Sequence, residues 1–394
     1  MKKLLAMATA IILCLGLAVG CSSPGTATPP SPTAPADNPS TAPAPEPAPA
    51  ADGSVNIGIV LPTRDEPRWL QDQAQFENII GETEYSVEVL FSQGSSATER
   101  TNVETLVAKG IDVLIICAQD AAAAASTVEI AKEAGVTVIS YDRLITNTAA
   151  VDYYVTFDSV AVGEAQGQYL IDNAQGTGLP LYLYAGASTD NNAFLFFEGA
   201  WKVLQPKIAD GTFVIINSSE AIARQDIASL TTDNNREELA AIIGQITTDW
   251  DFNVAKSKAE SHLTAASADQ KGACYILAPN DGTARSIADV FAADVDVTQY
   301  FVTGQDAEKA SVQYIIDSKQ SMTVFKDTRT LAKDAMNMAI EVLKGNAPAT
   351  DATYNNQAAD IPSKQSPIVV VTKDTVKAAL IDSGYYDASE FSGL

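Results

Sequence analysis

The sequence has one histidine, His262, and four cysteines in 394 residues. A single imidazole leaves most His-dependent triads, His-rich metal sites and imidazole acid–base pairs without their parts. Any catalysis would fall to carboxylates. Positive charge is scarce too: Lys and Arg total 25 against 49 Asp and Glu, for a net charge of −24. Nucleic-acid binding depends on cations that neutralise phosphates, so this surface repels such a partner. No G-x-G-x-x-G follows the first strand-like run, and no G-x-x-x-x-G-K-[ST] occurs, so phosphate-cradling loops are missing. Cysteine spacing offers no metal site, and neither a metal nor another cofactor is expected. What remains is a chain 46% hydrophobic and 19% charged. That is ample for buried cores, and the length suits two domains plus extras at roughly 100–200 residues each.

The N-terminus reads as an address. Lys2 and Lys3 precede an apolar run, Leu4 to Ala18, that is short for a membrane span. Leu17-Ala18-Val19-Gly20-Cys21 looks like a lipobox, with Ala18 where a larger aliphatic is usual. Residues 1–20 are therefore expected to be a signal peptide, and Cys21 the lipidated first residue of an extracytoplasmic, membrane-anchored lipoprotein. Ten of the eighteen prolines fall in the 32 residues from Ser22 to Gly53, among Ala, Ser and Thr. Such a segment favours extended polyproline-like conformations, and at ~3.1 Å per residue it is a tether on the order of 100 Å long. Of the cysteines, Cys117 and Cys274 remain. Each sits in an apolar strand-like run where a free thiol behaves as a small hydrophobe.

From Ser54 onward, short β-rich apolar runs alternate with helical patterns. Strands are expected at 56–62, 85–91, 111–118, 136–141, 153–157, 181–185, 212–217, 273–278, 299–303, 322–325 and 367–371. Helices are expected at 69–80, 97–109, 121–134, 160–173, 193–208, 237–247, 283–292, 307–318, 328–344 and 375–382. Continuous runs such as Val113-Leu114-Ile115-Ile116 suit strands buried on both faces of a parallel sheet. Repeated βα units of this length predict an α/β chain with two doubly wound lobes.

Ligands of open α/β sheets bind beyond the carboxyl ends of the strands. Reading past each strand gives Arg68-Trp69, Asp120, Asp142-Arg143, Asp190-Asn191-Asn192, Asn280-Asp281, Gln305-Asp306 and Lys326-Asp327. These are mostly planar or bidentate groups of both signs, able to donate to and accept from adjacent hydroxyls. A strand-end Asp is about as often a helix cap as a ligand contact. Seven such sites in two lobes point to a polyhydroxylated ligand, a sugar.

At these residues the chain resembles the sugar-binding proteins of bacterial ABC importers of the xylose and ribose type, and within them the multiple-sugar-binding branch. The motifs are Pro67-Arg68-Trp69, Ser140-Tyr141-Asp142-Arg143-Leu144-Ile145, Asp190-Asn191-Asn192-Ala193-Phe194, Pro279-Asn280-Asp281-Gly282, Gly304-Gln305-Asp306-Ala307-Glu308 and Thr323-Val324-Phe325-Lys326-Asp327-Thr328. The resemblance implies a type I periplasmic-binding-protein fold: two lobes joined by a three-strand hinge and closing on a pyranose. It places the crossings near Asp158, Asp281 and Phe325. The first lobe is then 54–157 plus 282–324 and the second 158–281 plus 325–394, with the lobe of the last strand and helix open.

By the same resemblance, Arg68, Trp69, Asp142, Arg143, Asp190, Asn191, Asn192, Trp250, Asn280, Asp306 and Lys326 are the sugar-binding residues. Trp69 and Trp250 would stack on the two faces of the sugar, with Asp142 and Asp306 in one lobe facing Asp190 and Asn192 in the other. Trp201, inside a helical pattern, is expected in the core, and His262 at the surface. The expected partners are a monosaccharide, an ABC permease and, through lipid, the membrane, with no nucleic acid and a monomeric chain. A sugar-sensing receptor of the same fold would share the site. A glycosidase using Asp142 and Asp190 is disfavoured, because neighbouring Arg and Lys would lower both carboxyl pKa values. With three cations facing three carboxylates, a uronic acid is admissible beside neutral aldoses.

Overall fold

A computed structural model describes residues 55–394, so the expected signal peptide, Cys21 and the proline-rich tether lie outside the described residues. The chain begins with β1 (Ile57–Leu61), α1 (Pro67–Ile80), β2 (Val87–Phe91), α2 (Ser96–Ala108), β3 (Val113–Ile116), α3 (Ala124–Glu133), β4 (Thr137–Tyr141) and β5 (Tyr153–Phe157). It continues through α4 (Ser159–Asp172), β6 (Leu179–Leu183), α5 (Asn191–Ala209), β7 (Phe213–Ile215), α6 (Ser219–Ala223), α7 (Arg236–Ile246), α8 (Phe252–Ala265) and β8 (Gly272–Leu277). Next come α9 (Asp281–Ala293), β9 (Val297–Val302), α10 (Lys309–Ile316), β10 (Met322–Lys326), α11 (Thr328–Leu343), β11 (Ala352–Asn355), β12 (Asp360–Ser366) and β13 (Ile368–Thr372), followed by short helical turns at Lys377–Ile381 and Ala388–Glu390.

Two sheets organise the molecule. The first has the order β11-β12-β5-β4-β3-β1-β2, parallel except for β11 against β12. The second is a parallel sheet in the order β7-β6-β8-β9. β1 and β3 are apolar at almost every position and buried throughout, as strands covered by helices on both faces must be. α11 lays Leu331, Ala332, Ala335, Met336 and Ala339 on one face of the first sheet, together with Trp69 and Phe76 of α1. The second sheet is covered on one side by α4, α5 and α7, with Trp201 sealed in that core and its Nε1 donating to the Ile227 carbonyl at 2.9 Å. α4 and α5 touch backbone to backbone: a Cβ on Gly163 would fall 1.8 Å from the Phe196 carbonyl oxygen, and one on Gly199 1.9 Å from that of Val160.

The lobe boundaries differ from those expected. β9 pairs in parallel with β8, and α9 packs Ala284, Ile287, Ala288 and Phe291 into the core beneath that strand, so 282–324 belongs with the second sheet. Residues 328–366 belong with the first, because α11 covers it and β12 pairs with β5. β10 runs beside 304–306, with Val324 N donating to the Gly304 carbonyl and Asp306 N to that of Val324, and β13 pairs antiparallel with β10. Both therefore extend the second lobe. The chain crosses between lobes after Phe157, after Lys326 and after Ser366, and pairing aligns these points: Ser366 opposite Phe157, Ile368 opposite Lys326. The crossing expected near Asp281 is absent, since Asn280 caps α9 within the second lobe.

Candidate functional site

The carboxyl ends of the strands converge on one cavity of about 30 Å³ between the lobes, room for about one water. From the first lobe come Glu66, Arg68 and Trp69 at the start of α1, and Asp142 and Arg143 after β4. From the second come Asp190, Asn192 and Phe196 at the start of α5, Trp250 before α8, Asn280 after β8, Gln305 and Asp306 after β9, and Lys326 at the end of β10. Ten of the eleven expected residues line this space. Asn191 does not. Its Oδ1 accepts from Arg236 at 3.0 Å, and it borders a separate groove with Leu144 and Tyr354. Asp306 lies on the second lobe rather than the first, because it follows β9. Asp120 stands outside the cavity as a turn cap, accepting from the amides of Ala122 and Ala123.

Local sequence explains why these groups point inward. Pro67 opens α1 without a wasted amide donor, which turns Arg68 and Trp69 into the cleft within the first helical turn. Asp190 caps α5 through the Asn192 amide at 2.9 Å while its second oxygen faces the cavity. Asp142, Trp250 and Asp306 have φ of 60°, 60° and 97°. Left-handed backbone in non-glycine residues is costly and concentrates at binding sites. For Asp142 the conformation is secured through its own carbonyl, which accepts from Tyr154 Oη at 2.7 Å and Asn192 Nδ2 at 2.9 Å. Trp250 lies flat against Gly186, where a Cβ would sit 2.0 Å from its ring, and donates from Nε1 to Asp190 Oδ2 at 3.1 Å.

The charges form one network. The Arg68 guanidinium bonds Asp72 at 2.6 Å, Asp142 at 2.9 Å and Asp306 at 3.3 Å, and Tyr141 donates to Asp72 from behind. Lys326 Nζ is 2.8 Å from Asp306, and Arg143 Nε 2.9 Å from Asp190. Burial pushes the Asp142 carboxyl up, but Arg68, Lys326 and Arg143 outweigh it and hold the group below the ordinary carboxylate range. At Asp190 and Asp72 burial wins and both are raised. Asp190 thus departs from the lowering expected of both carboxyls. Among the residues lining the cavity, three contacts join the lobes directly: Arg68 to Asp306, Arg143 to Asp190, and Asn192 to the carbonyl and Oδ1 of Asp142. Chemically this is a ring of bidentate acceptors and planar donors with aromatic walls at Trp69, Phe196 and Trp250.

A model of the periplasmic binding protein domain matches residues 57–347. The chain belongs to that family. The multiple sugar-binding periplasmic protein SbpA of Azospirillum brasilense is 32% identical over 86% of this chain and 92% of the relative. The D-xylose-binding periplasmic protein of Escherichia coli is 29% identical over 85% and 92%. Among solved structures, a carbohydrate transporter solute-binding protein of Chloroflexus aurantiacus in complex with D-glucose is 67% identical, with a TM-score of 0.84 over 86% of this chain and 99% of that one. An ABC transporter solute-binding protein of Clostridium phytofermentans with bound β-D-glucose reaches 30% and 0.74, over 85% and 99%.

Three lining residues stand outside the eleven expected sugar-binding residues. Phe196 follows Asn192 by four residues on the same helix face, a signal the sequence carried. Gln305 adjoins Asp306. Glu66 sits in a charged stretch that reads as loop. His262, expected at the surface, is half-buried instead: its Nδ1 lies 3.1 Å from both Asn217 Nδ2 and Tyr184 Oη, and burial brings its pKa down to about 4.

Proposed function

We propose that this chain is an extracytoplasmic receptor that captures one aldopyranose between its lobes and passes it to an ABC sugar permease, held to the membrane by lipid on Cys21. The observation that carries the reading is convergence: bidentate and aromatic side chains from both lobes line a single cavity at the strand ends. Relatives that bind sugars and a 67% identical protein in complex with D-glucose support it.

In this reading the cavity opens by rotation about the three aligned crossings after Phe157, Lys326 and Ser366. Sugar hydroxyls then replace the direct contacts between lobes, taking the place of Arg143 against Asp190 and of Asn192 against Asp142. Hydroxyls donate to Asp142, Asp190 and Asp306 and accept from Arg68, Arg143, Asn192, Asn280 and Lys326. The indoles of Trp69 and Trp250 cover the apolar C–H faces. The protein is a carrier: Arg68 and Lys326 keep Asp142 ionised, and the paired carboxylates serve as acceptors, not as an acid and a nucleophile. A thermal-shift screen of aldoses tests the reading. A true ligand at 100 times its Kd stabilises by roughly 2.7 kcal/mol. A panel of neutral aldoses without any shift refutes it.

A further inference from the structure

Within the proposed sugar site, the cations are already spoken for. Arg68 is bound by Asp72, Asp142 and Asp306, Lys326 by Asp306, and Arg143 by Asp190. Glu66 is the lining carboxylate without an ion pair among the described residues. It occupies the cap position of α1, yet its side chain makes no capping bond. Beside it the indole Nε1 of Trp69 is buried without a well-formed partner, turned toward the Glu66 carboxyl. This acceptor and donor thus face each other at the edge of the cavity, with no ion pair to Glu66 among the described residues. Counting the lining groups, Glu66, Asp142, Asp190 and Asp306 face Arg68, Arg143 and Lys326. Asp72 behind Arg68 adds a further carboxylate.

We infer that Glu66 is a further specificity-determining residue of this site: it accepts a hydroxyl of a neutral aldose and, as the fourth carboxylate in a lining with three cations, rejects a sugar that carries a carboxylate. The inference rests on the carrier reading above and narrows its ligand class, removing the uronic acids that a count of three cations against three carboxylates admitted. A sugar hydroxyl brings a donor to the Glu66 carboxylate. The carboxylate of a uronate brings only acceptors and a negative charge to a lining in which carboxylates already outnumber cations, which is discrimination by repulsion. The groups acting on Glu66 are Arg143 from the loop after β4, Asp306 and Glu308 from the loop after β9, and Trp69 on its own helix. Burial, Asp306 and Glu308 push its carboxyl up to about 7 against the opposing pull of Arg143. Its charge is therefore present at pH 8 and absent at pH 5.5, whereas a uronate stays ionised at both.

Calorimetric titration of the mature protein with D-glucose and D-glucuronate at pH 8 and 5.5, for the wild type and Glu66→Gln, tests this. The wild type at pH 8 should prefer glucose by ~100-fold or more, and the preference should shrink by ~10-fold at pH 5.5, where one repulsive charge has gone. Glu66→Gln should show the narrower preference at both pH values, having lost its pH dependence. Equal binding of the two sugars by the wild type at pH 8 overturns the inference. So does an unchanged preference with unchanged pH dependence in Glu66→Gln, and in either case glucose binding leaves the carrier reading standing. If the wild type binds no neutral aldose, the carrier reading fails and this inference with it.

Discussion

Trp250 reaches the cavity only because residue 186 has no side chain, and Gly186→Ala tests that dependence without touching a lining residue. The new Cβ would meet Trp250 Cζ2 at 2.0 Å, Cη2 at 2.1 Å and Cε2 at 2.5 Å, where ordinary contact begins near 3.4 Å. The ring must therefore retreat by about 1.4 Å. Gly186 has no left-handed φ, so alanine itself suits the backbone, and the displacement falls on the side chain. The retreat breaks the 3.1 Å bond from Trp250 Nε1 to Asp190. A hydrogen bond to a charged group is worth about 1.5–3 kcal/mol, which amounts to ~10- to ~100-fold in affinity when the wall and its acceptor are both displaced. Titration calorimetry with D-glucose, paired with a melting curve, reads both sides of the expectation: weaker binding by at least ~10-fold and a melting temperature lowered by only a few degrees. Wild-type affinity in Gly186→Ala would show that the ring is not a wall of the sugar site.

Other expectations follow from the same geometry. Saturating sugar should alter intrinsic fluorescence, with the response reduced in Trp69→Phe and Trp250→Phe. Trp201→Phe should keep that response and lose stability, because Trp201 is sealed beneath α7 in the second-lobe core. Arg143→Ala leaves the Asp190 carboxylate buried without its 2.9 Å partner, so sugar affinity should fall by roughly 2–5 kcal/mol in a titration; a smaller loss than 1 kcal/mol would remove Arg143 from the site. Glu99 is fully buried, and burial, partly opposed by the Gln119 amide, raises its pKa from 4.5 to about 7. Between those values the folded state holds a proton that the unfolded chain has released, so stability falls as pH rises from about 4.5 to 7 and stays lower above it. Glu99→Gln should therefore raise the melting temperature at pH 8 more than at pH 5, and an equal shift at both would contradict the sign.

Much of the site was legible because its placement follows from local rules. A strand ends, the next residues face the ligand, and planar groups there have a chemical preference that sequence displays. Asn191 fails by the geometry of a helix start: Asp190 caps, Asn192 turns inward, and Asn191, a third of a turn away, meets Arg236. The lobe boundaries were illegible for a different reason. The run Val297–Val302 reads as a strand, but nothing in it says which sheet it joins, and pairing with β8 is a tertiary choice. β12 was missed outright, since Asp360–Ser366 offers only Ile361 as a large apolar residue and contains Pro362. Its place is fixed by pairing with β5 through Ser363 to Ser366, contacts no periodicity reveals. α8 buries only Ala255, Ala259 and Leu263, a stripe too small to register against its polar faces.

If residues of both lobes jointly hold one sugar, a calorimetric titration of Asp142→Ala, Asp306→Ala and the wild type with D-glucose will show it. The first substitution removes an acceptor of the first lobe and the second one of the second lobe, and both carboxylates bind the same guanidinium, Arg68. The account predicts one site per wild-type chain, with affinity lowered at least ~10-fold in each variant and the fold retained. Undiminished binding in either variant, or a wild-type protein with no heat of binding for glucose or any other neutral aldopyranose, would contradict it.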